Sequence, residues 1–75
     1  MNNVRRNKIK GINFLLKELV NDLQSILDDE QDYFDNIPEN LQNSQRAMDS
    51  EEYIDILEDV IETLEDAEDS LNDIV

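Results

Sequence analysis

Tyr53-Ile54-Asp55-Ile56-Leu57-Glu58-Asp59-Val60-Ile61-Glu62-Thr63-Leu64-Glu65-Asp66-Ala67-Glu68-Asp69-Ser70-Leu71-Asn72-Asp73-Ile74 is the stretch on which the fold turns. Tyr53, Leu57, Val60, Leu64, Ala67, Leu71 and Ile74 recur at alternating steps of four and three without a break. Steps of three and four return to one side of an α-helix, so the stretch reads as the seam of a packed helix and not as a strand. The first half of the chain repeats the rule: Ile9, Ile12, Leu16, Leu19, Leu23, Ile26, Glu30 and Tyr33 form a second seam that only Glu30 interrupts. Leu, Lys, Glu and Gln fill most other positions, so intrinsic helix preference agrees with the pattern. Gly11 is the weak point of the first helix, at a cost of about 1 kcal/mol relative to Ala, and is expected to let the start fray.

The two seams are separated by Asp35-Asn36-Ile37-Pro38-Glu39-Asn40-Leu41-Gln42-Asn43. Pro38 has no amide hydrogen and disfavours a helical residue before it, so the first helix must end near residue 35. Asp49 and Glu52 stand at capping-box spacing, and Glu51 and Glu52 suit the positive end of a helix. The sequence therefore predicts helix 1 over about 3–35, a bend over 36–48 and helix 2 over about 49–74, a single unit spanning 1–75. Set antiparallel, the seams pair Tyr33 with Tyr53, Ile26 with Val60, Leu19 with Ala67 and Ile12 with Ile74, in register along their length. An all-α, antiparallel two-helix hairpin is the economical solution. Glu30 is expected where the seam frays toward the bend.

The apolar stripe is wider than one hairpin needs. Val20, Leu27, Phe34, Ile54 and Ile61 flank the seam on one side, and Leu15 and Ile56 on the other. That width belongs to a member of a bundle, and a chain of this size buries too little apolar area to offset its entropy alone. Those seven residues are the expected oligomer interface, and two hairpins closing into a four-helix homodimer the expected assembly.

Composition narrows the chemistry. The 75 residues hold 20 Asp and Glu against 6 Lys and Arg, a net charge of −14, with no Cys and no His. No disulfide, thiol nucleophile, haem, zinc site or imidazole base can be built. Asp28-Asp29-Glu30-Gln31-Asp32 lacks the Gly and the spacing of a calcium loop, and two helices offer no pocket to perturb a carboxylate. No catalytic, cofactor or metal site is expected. The apolar run after the basic start is cut short by Lys17-Glu18, so neither a membrane span nor a leader peptide is expected, and the reading is cytoplasmic.

Charge is uneven along the chain. Residues 1–17 carry Arg5, Arg6, Lys8, Lys10 and Lys17 and no acid, a sum of +5; residues 18–75 carry all 20 acids and Arg46, a sum of −19. In the hairpin register Arg5, Arg6 and Lys8 overhang, beyond reach of their own acidic helix. Such acidity repels nucleic acid and anionic lipid and attracts basic protein surfaces. Along helix 2 the acids form a band about 33 Å long with about two charges per turn. A band of that kind imitates a nucleic-acid backbone, and Glu58, Asp59, Glu62, Glu65, Asp66 and Asp69 are its expected partner-binding residues. Tyr33, Phe34, Ile37, Pro38 and Leu41 cluster at the bend, as a plug for the bundle end or a recognition tip.

The stretch Glu30-Gln31-Asp32-Tyr33-Phe34-Asp35-Asn36-Ile37-Pro38-Glu39-Asn40-Leu41-Gln42, followed by an acidic amphipathic helix from Met48, resembles small proteins carried by phages and mobile elements of Gram-positive bacteria. No activity is attached to that group, so the resemblance implies a context, a host cytoplasm, and not a mechanism. The expected function is a non-enzymatic accessory protein whose acidic face blocks a basic surface of a host or defence protein. The alternatives are an adaptor that binds a partner helix through its apolar stripe, and an oligomeric nucleotide sponge in which Arg5, Arg6 and Lys8 clamp phosphate.

Overall fold

The computed structural model describes residues 1–75. Helix α1 runs Asn3–Asp35 and helix α2 runs Gln45–Asn72, joined through a short 3-10 turn at Glu39–Leu41. The two helices pack antiparallel into a rod whose Cα atoms extend 59 × 15 × 13 Å. The all-α hairpin expected from the two seams is the fold.

Local chemistry sets each boundary. Asn2 caps α1, its side-chain oxygen accepting from the Arg5 amide at 2.9 Å. The helix continues through Gly11 without a break and stops at Asp35, one turn short of Pro38, with the Asn36 amide closing on Asp32. Helix α2 begins a turn earlier than Asp49: Ser44 is its cap, with Oγ accepting from the Ala47 amide at 3.2 Å. Ser at this position satisfies an orphan amide as well as Asp does, and nothing in Gln45-Arg46-Ala47 resists the helix. The bend is correspondingly tighter than expected. It is held by the 3-10 turn and by the Gln42 Nε2 donating to the Ile37 carbonyl at 2.8 Å.

Burial relocates the seam. Four apolar residues are fully buried: Ile37, Ala47, Ile54 and Ile61. The half-buried residues of α1 include Ile9, Leu16, Val20, Leu23, Leu27 and Phe34, and those of α2 include Leu57, Leu64 and Leu71. The row Ile9, Leu16, Leu23 and the row Leu57, Leu64, Leu71 thus face the partner helix as expected. Their flanking rows have exchanged roles. Val20, Leu27, Phe34, Ile54 and Ile61, expected on an outer interface, close the hairpin itself, with Ile54 and Ile61 each only 6 % exposed. Ile12, Leu19 and Ile26, expected inside, are 50 %, 51 % and 53 % exposed, and Tyr33, Tyr53, Val60 and Ile74 are exposed with them.

The reason lies at both ends of the hairpin. Ala47 and Ser50, each 1 % exposed, are small enough to let the helices approach closely beside the bend. Both belong to the rows that turn inward, and Ile37, which follows the central row of Leu16, Leu23 and Glu30 into the bend, is buried there. The opposite choice would have sealed the hydroxyls of Tyr33 and Tyr53 in a seam without water, where each needs a partner. Glu30 falls on the seam near the bend and is half-buried.

At the far end, the Asn13 Nδ2 donates to the Asn72 Oδ1 at 2.8 Å and to the Glu68 carbonyl at 3.4 Å. Asn13 therefore lies between Glu68 and Asn72 and not opposite Asp73 and Ile74 as the seam pairing required. The tighter bend accounts for this slide of α2 along α1.

Candidate functional site

Two surfaces of the rod are chemically distinct, and the heptad separates them. Residues seven apart return to one face of packed helices, and in an antiparallel pair like positions flank the seam on the same side. Tyr33 and Arg46 line one cleft, at the bend, while Lys17 and Glu65 line a separate open groove between the helices.

The first surface is apolar. Ile12, Leu19, Ile26 and Tyr33 descend α1, and Tyr53, Val60 and Ala67 ascend α2 beside them, with Ile74 in the turn just beyond its end. Of the expected interface residues, Leu15 and Ile56 belong to this side and are exposed. On α2 the face is completed by Thr63 and Ser70, so that from Tyr53 to Ile74 it contains no charged residue in a chain with 20 acids. A monomer of 8.8 kDa folded to ordinary compactness exposes about 4,800 Å². This chain exposes 5649 Å². The excess goes with the elongation of the rod, and its size, about 800 Å², is close to one partner's share of a standard protein interface.

The second surface is acidic. Glu51, Glu52, Asp55, Glu58, Asp59, Glu62, Glu65, Asp66, Asp69 and Asp73 are all exposed, on the outer side of α2. The six expected partner-binding acids lie within this band. Ten charges over about 33 Å of helix space them near the 3.4 Å per phosphate of one nucleic-acid strand. The side chains cannot relieve this crowding by pairing along their own helix, because α2 holds a single base, Arg46, in its first turn.

The bend forms the third feature. Tyr33, Asn36, Ile37, Pro38, Leu41, Ser44 and Arg46 line an open cleft of about 430 Å³. Tyr33, Ile37, Pro38 and Leu41 of the expected tip meet there, whereas Phe34 turns inward and is half-buried. Ile37 is buried and supports the bend; Tyr33 and Leu41 are exposed.

Asn13 lies outside the seam expected from the sequence, on the flank that the apolar pattern assigns to the outside, so nothing in its context marks it as buried. Its Oδ1 is buried without a protein partner, and Lys10, Phe14, Lys17, Asn72 and Val75 surround it. Leucine at this position removes that unpaired acceptor and extends the apolar seam, so Asn13→Leu is expected to stabilise the fold by about 1 kcal/mol. A thermal melt followed by circular dichroism should rise by about 4–8 °C for that change, and a lower midpoint would show the Asn13–Asn72 pair to be net stabilising. The paired amides fix how far α2 slides along α1, the kind of task a buried polar residue performs in coiled coils.

No helix is long and apolar enough to cross a membrane. No group of three or more carboxylates is placed to hold a metal ion. No family model matches the chain, and neither a curated protein nor a solved structure matches it.

Proposed function

We propose that this protein acts by binding: two hairpins associate through their apolar faces into a four-helix bundle, and the acidic bands of α2 then occupy a basic protein surface as a nucleic-acid strand would. The observation that carries the reading is the division of α2. Its outer rows hold ten exposed acids, and the rows facing the same side as Tyr33 hold none between Tyr53 and Ile74. A helix that needed charge only for solubility would scatter it over all its exposed rows. The context is that of the phage and mobile-element proteins which the bend segment resembles, and the partner is a nucleic-acid-binding protein of the host or its defences. A nucleic acid itself is disfavoured by the charge of −14.

The test immobilises the chain, captures proteins from a bacterial lysate at low salt, and challenges them with duplex DNA or with added salt. Both should release the bound protein, and a quadruple variant, Glu58→Lys, Asp59→Lys, Glu62→Lys and Glu65→Lys, should capture none of it. Retention in the presence of excess DNA, or capture unchanged by the four reversals, would overturn the reading. A second reading, an adaptor that offers the apolar face to a helix of another protein, is favoured by the exposed Tyr33 and Tyr53 on that face, since Tyr is enriched at interfaces. It predicts a monomer whose partner binding is lost in Ile12→Asp and indifferent to the acid reversals.

A further inference from the structure

We infer that the second hairpin lies with its bend at the opposite end of the rod, about a two-fold axis that crosses α1 at Leu19 and α2 beside Thr63. The inference rests on the proposed bundle and adds its geometry.

The α1 row of the apolar face reads Arg5, Ile12, Leu19, Ile26, Tyr33. Reversed upon itself about Leu19, it sets Ile12 against the partner's Ile26 and Leu19 against its own copy. The neighbouring rim row, Lys8, Leu15, Asp22 and Asp29, then brings Lys8 to the partner's Asp29 and Leu15 beside the partner's Asp22. A two-fold interface demands such self-complementarity, because the same patch must serve both subunits. The α2 row, treated independently, has its own centre: Tyr53 meets the partner's Ile74 and Val60 the partner's Ala67, so the axis passes between Thr63 and Leu64.

The hairpin register decides whether one axis can serve both helices. Asn13 faces Glu68 and Asn72, so six residues further on Leu19 faces the stretch 62–66. The two centres, found from separate rows, lie at the same height in the rod. Under the register expected from the seams alone, Leu19 would have stood opposite Ala67, and the axes would not have coincided.

Charge selects this arrangement over the alternative, in which both bends share one end. With bends together, two N-terminal segments of +5 each are neighbours. With bends opposed, each basic segment lies beside the partner's residues 21–37, which contain six acids and no base. The basic start of α1, which projects past the end of α2, thereby gains acidic neighbours.

Cysteine cross-linking tests the geometry, since the chain has no cysteine of its own. Leu19 and its copy meet at the axis, within reach of a disulfide, so Leu19→Cys should oxidise to a covalent dimer. Ile12→Cys and Ile26→Cys should each fail alone, because seven residues from the axis on either side separate the copies by about 21 Å. The double variant Ile12→Cys/Ile26→Cys should cross-link, its two cysteines being too far apart on one helix to join within a chain. All of these positions are exposed in the hairpin, so none is needed for it to fold. A protein that sediments at twice 8.8 kDa yet cross-links in neither Leu19→Cys nor the double variant would overturn the opposed arrangement while leaving the bundle standing. A protein that sediments as a monomer would overturn both.

Discussion

Ile61→Ala should cost the hairpin about 2–5 kcal/mol, the range for truncating a buried isoleucine. Ile61 is 6 % exposed and sits midway along α2, where the relaxation that shrinks a cavity is hardest. A chain of this length is worth only about 4–11 kcal/mol in all, and here a charge of −14 presses toward the low end by self-repulsion. One substitution thus removes a third or more of the stability, a fall in melting midpoint of at least about 10 °C. Ile54→Ala, equally buried and two turns nearer the bend, should behave alike, and the double variant should be unfolded at 25 °C by circular dichroism. Ile12→Ala supplies the contrast. Its side chain is half exposed in the single hairpin, so the loss should depend on protein concentration and vanish on dilution, as it must for a residue stabilised by a second copy. Equal, concentration-independent losses at Ile12 and Ile61 would refute the seam described here.

The second large effect concerns the acidic band. Glu58, Asp59, Glu62, Glu65, Asp66 and Asp69 present charge at about the spacing of one nucleic-acid strand. For a strand of that density the salt slope is about 0.7 per contact, so six contacts imply roughly 300-fold weaker partner binding between 50 and 200 mM salt. Reversing Glu58, Asp59, Glu62 and Glu65 to Lys removes attraction and adds repulsion, and should reduce binding below detection at either salt. The reversals change the net charge from −14 to −6, two units each, which relieves self-repulsion. The variant should therefore melt no lower than the parent, and its loss of binding is not a loss of fold. Isothermal titration of the captured partner at both salt concentrations measures the slope; a flat salt dependence would assign the acids to solubility.

Much of this was legible in the residues alone, and the misreading has a definite cause. Periodicity, Pro38 and the two apolar seams specify a helical hairpin, and the first helix has the boundaries they imply. Each stripe, however, is three rows wide, and its centre row faces inward whichever flank is chosen. The flank of Ile12, Leu19 and Ile26 holds more apolar residues, because the alternative contains Asn13 and Glu68. The fold instead uses small side chains beside the bend, Ala47 and the centre-row Ser50, and an amide pair that sets the slide of one helix along the other. Neither is a matter of hydrophobicity. The Ser44 cap was likewise hidden behind the acidic pair at Asp49 and Glu52, which offered an equally good helix start one turn later. The acidic band suffered no such ambiguity, because exposed charge does not depend on which apolar flank turns inward.

An apolar face whose α2 rows carry no charge on so acidic a chain is the centre of the account, and its use by a second copy is a question of mass. Sedimentation equilibrium at micromolar concentration and moderate salt should return twice 8.8 kDa, reverting to 8.8 kDa in Leu19→Asp with the helical content retained. A well-folded parent chain that stays at 8.8 kDa up to millimolar concentration would contradict it.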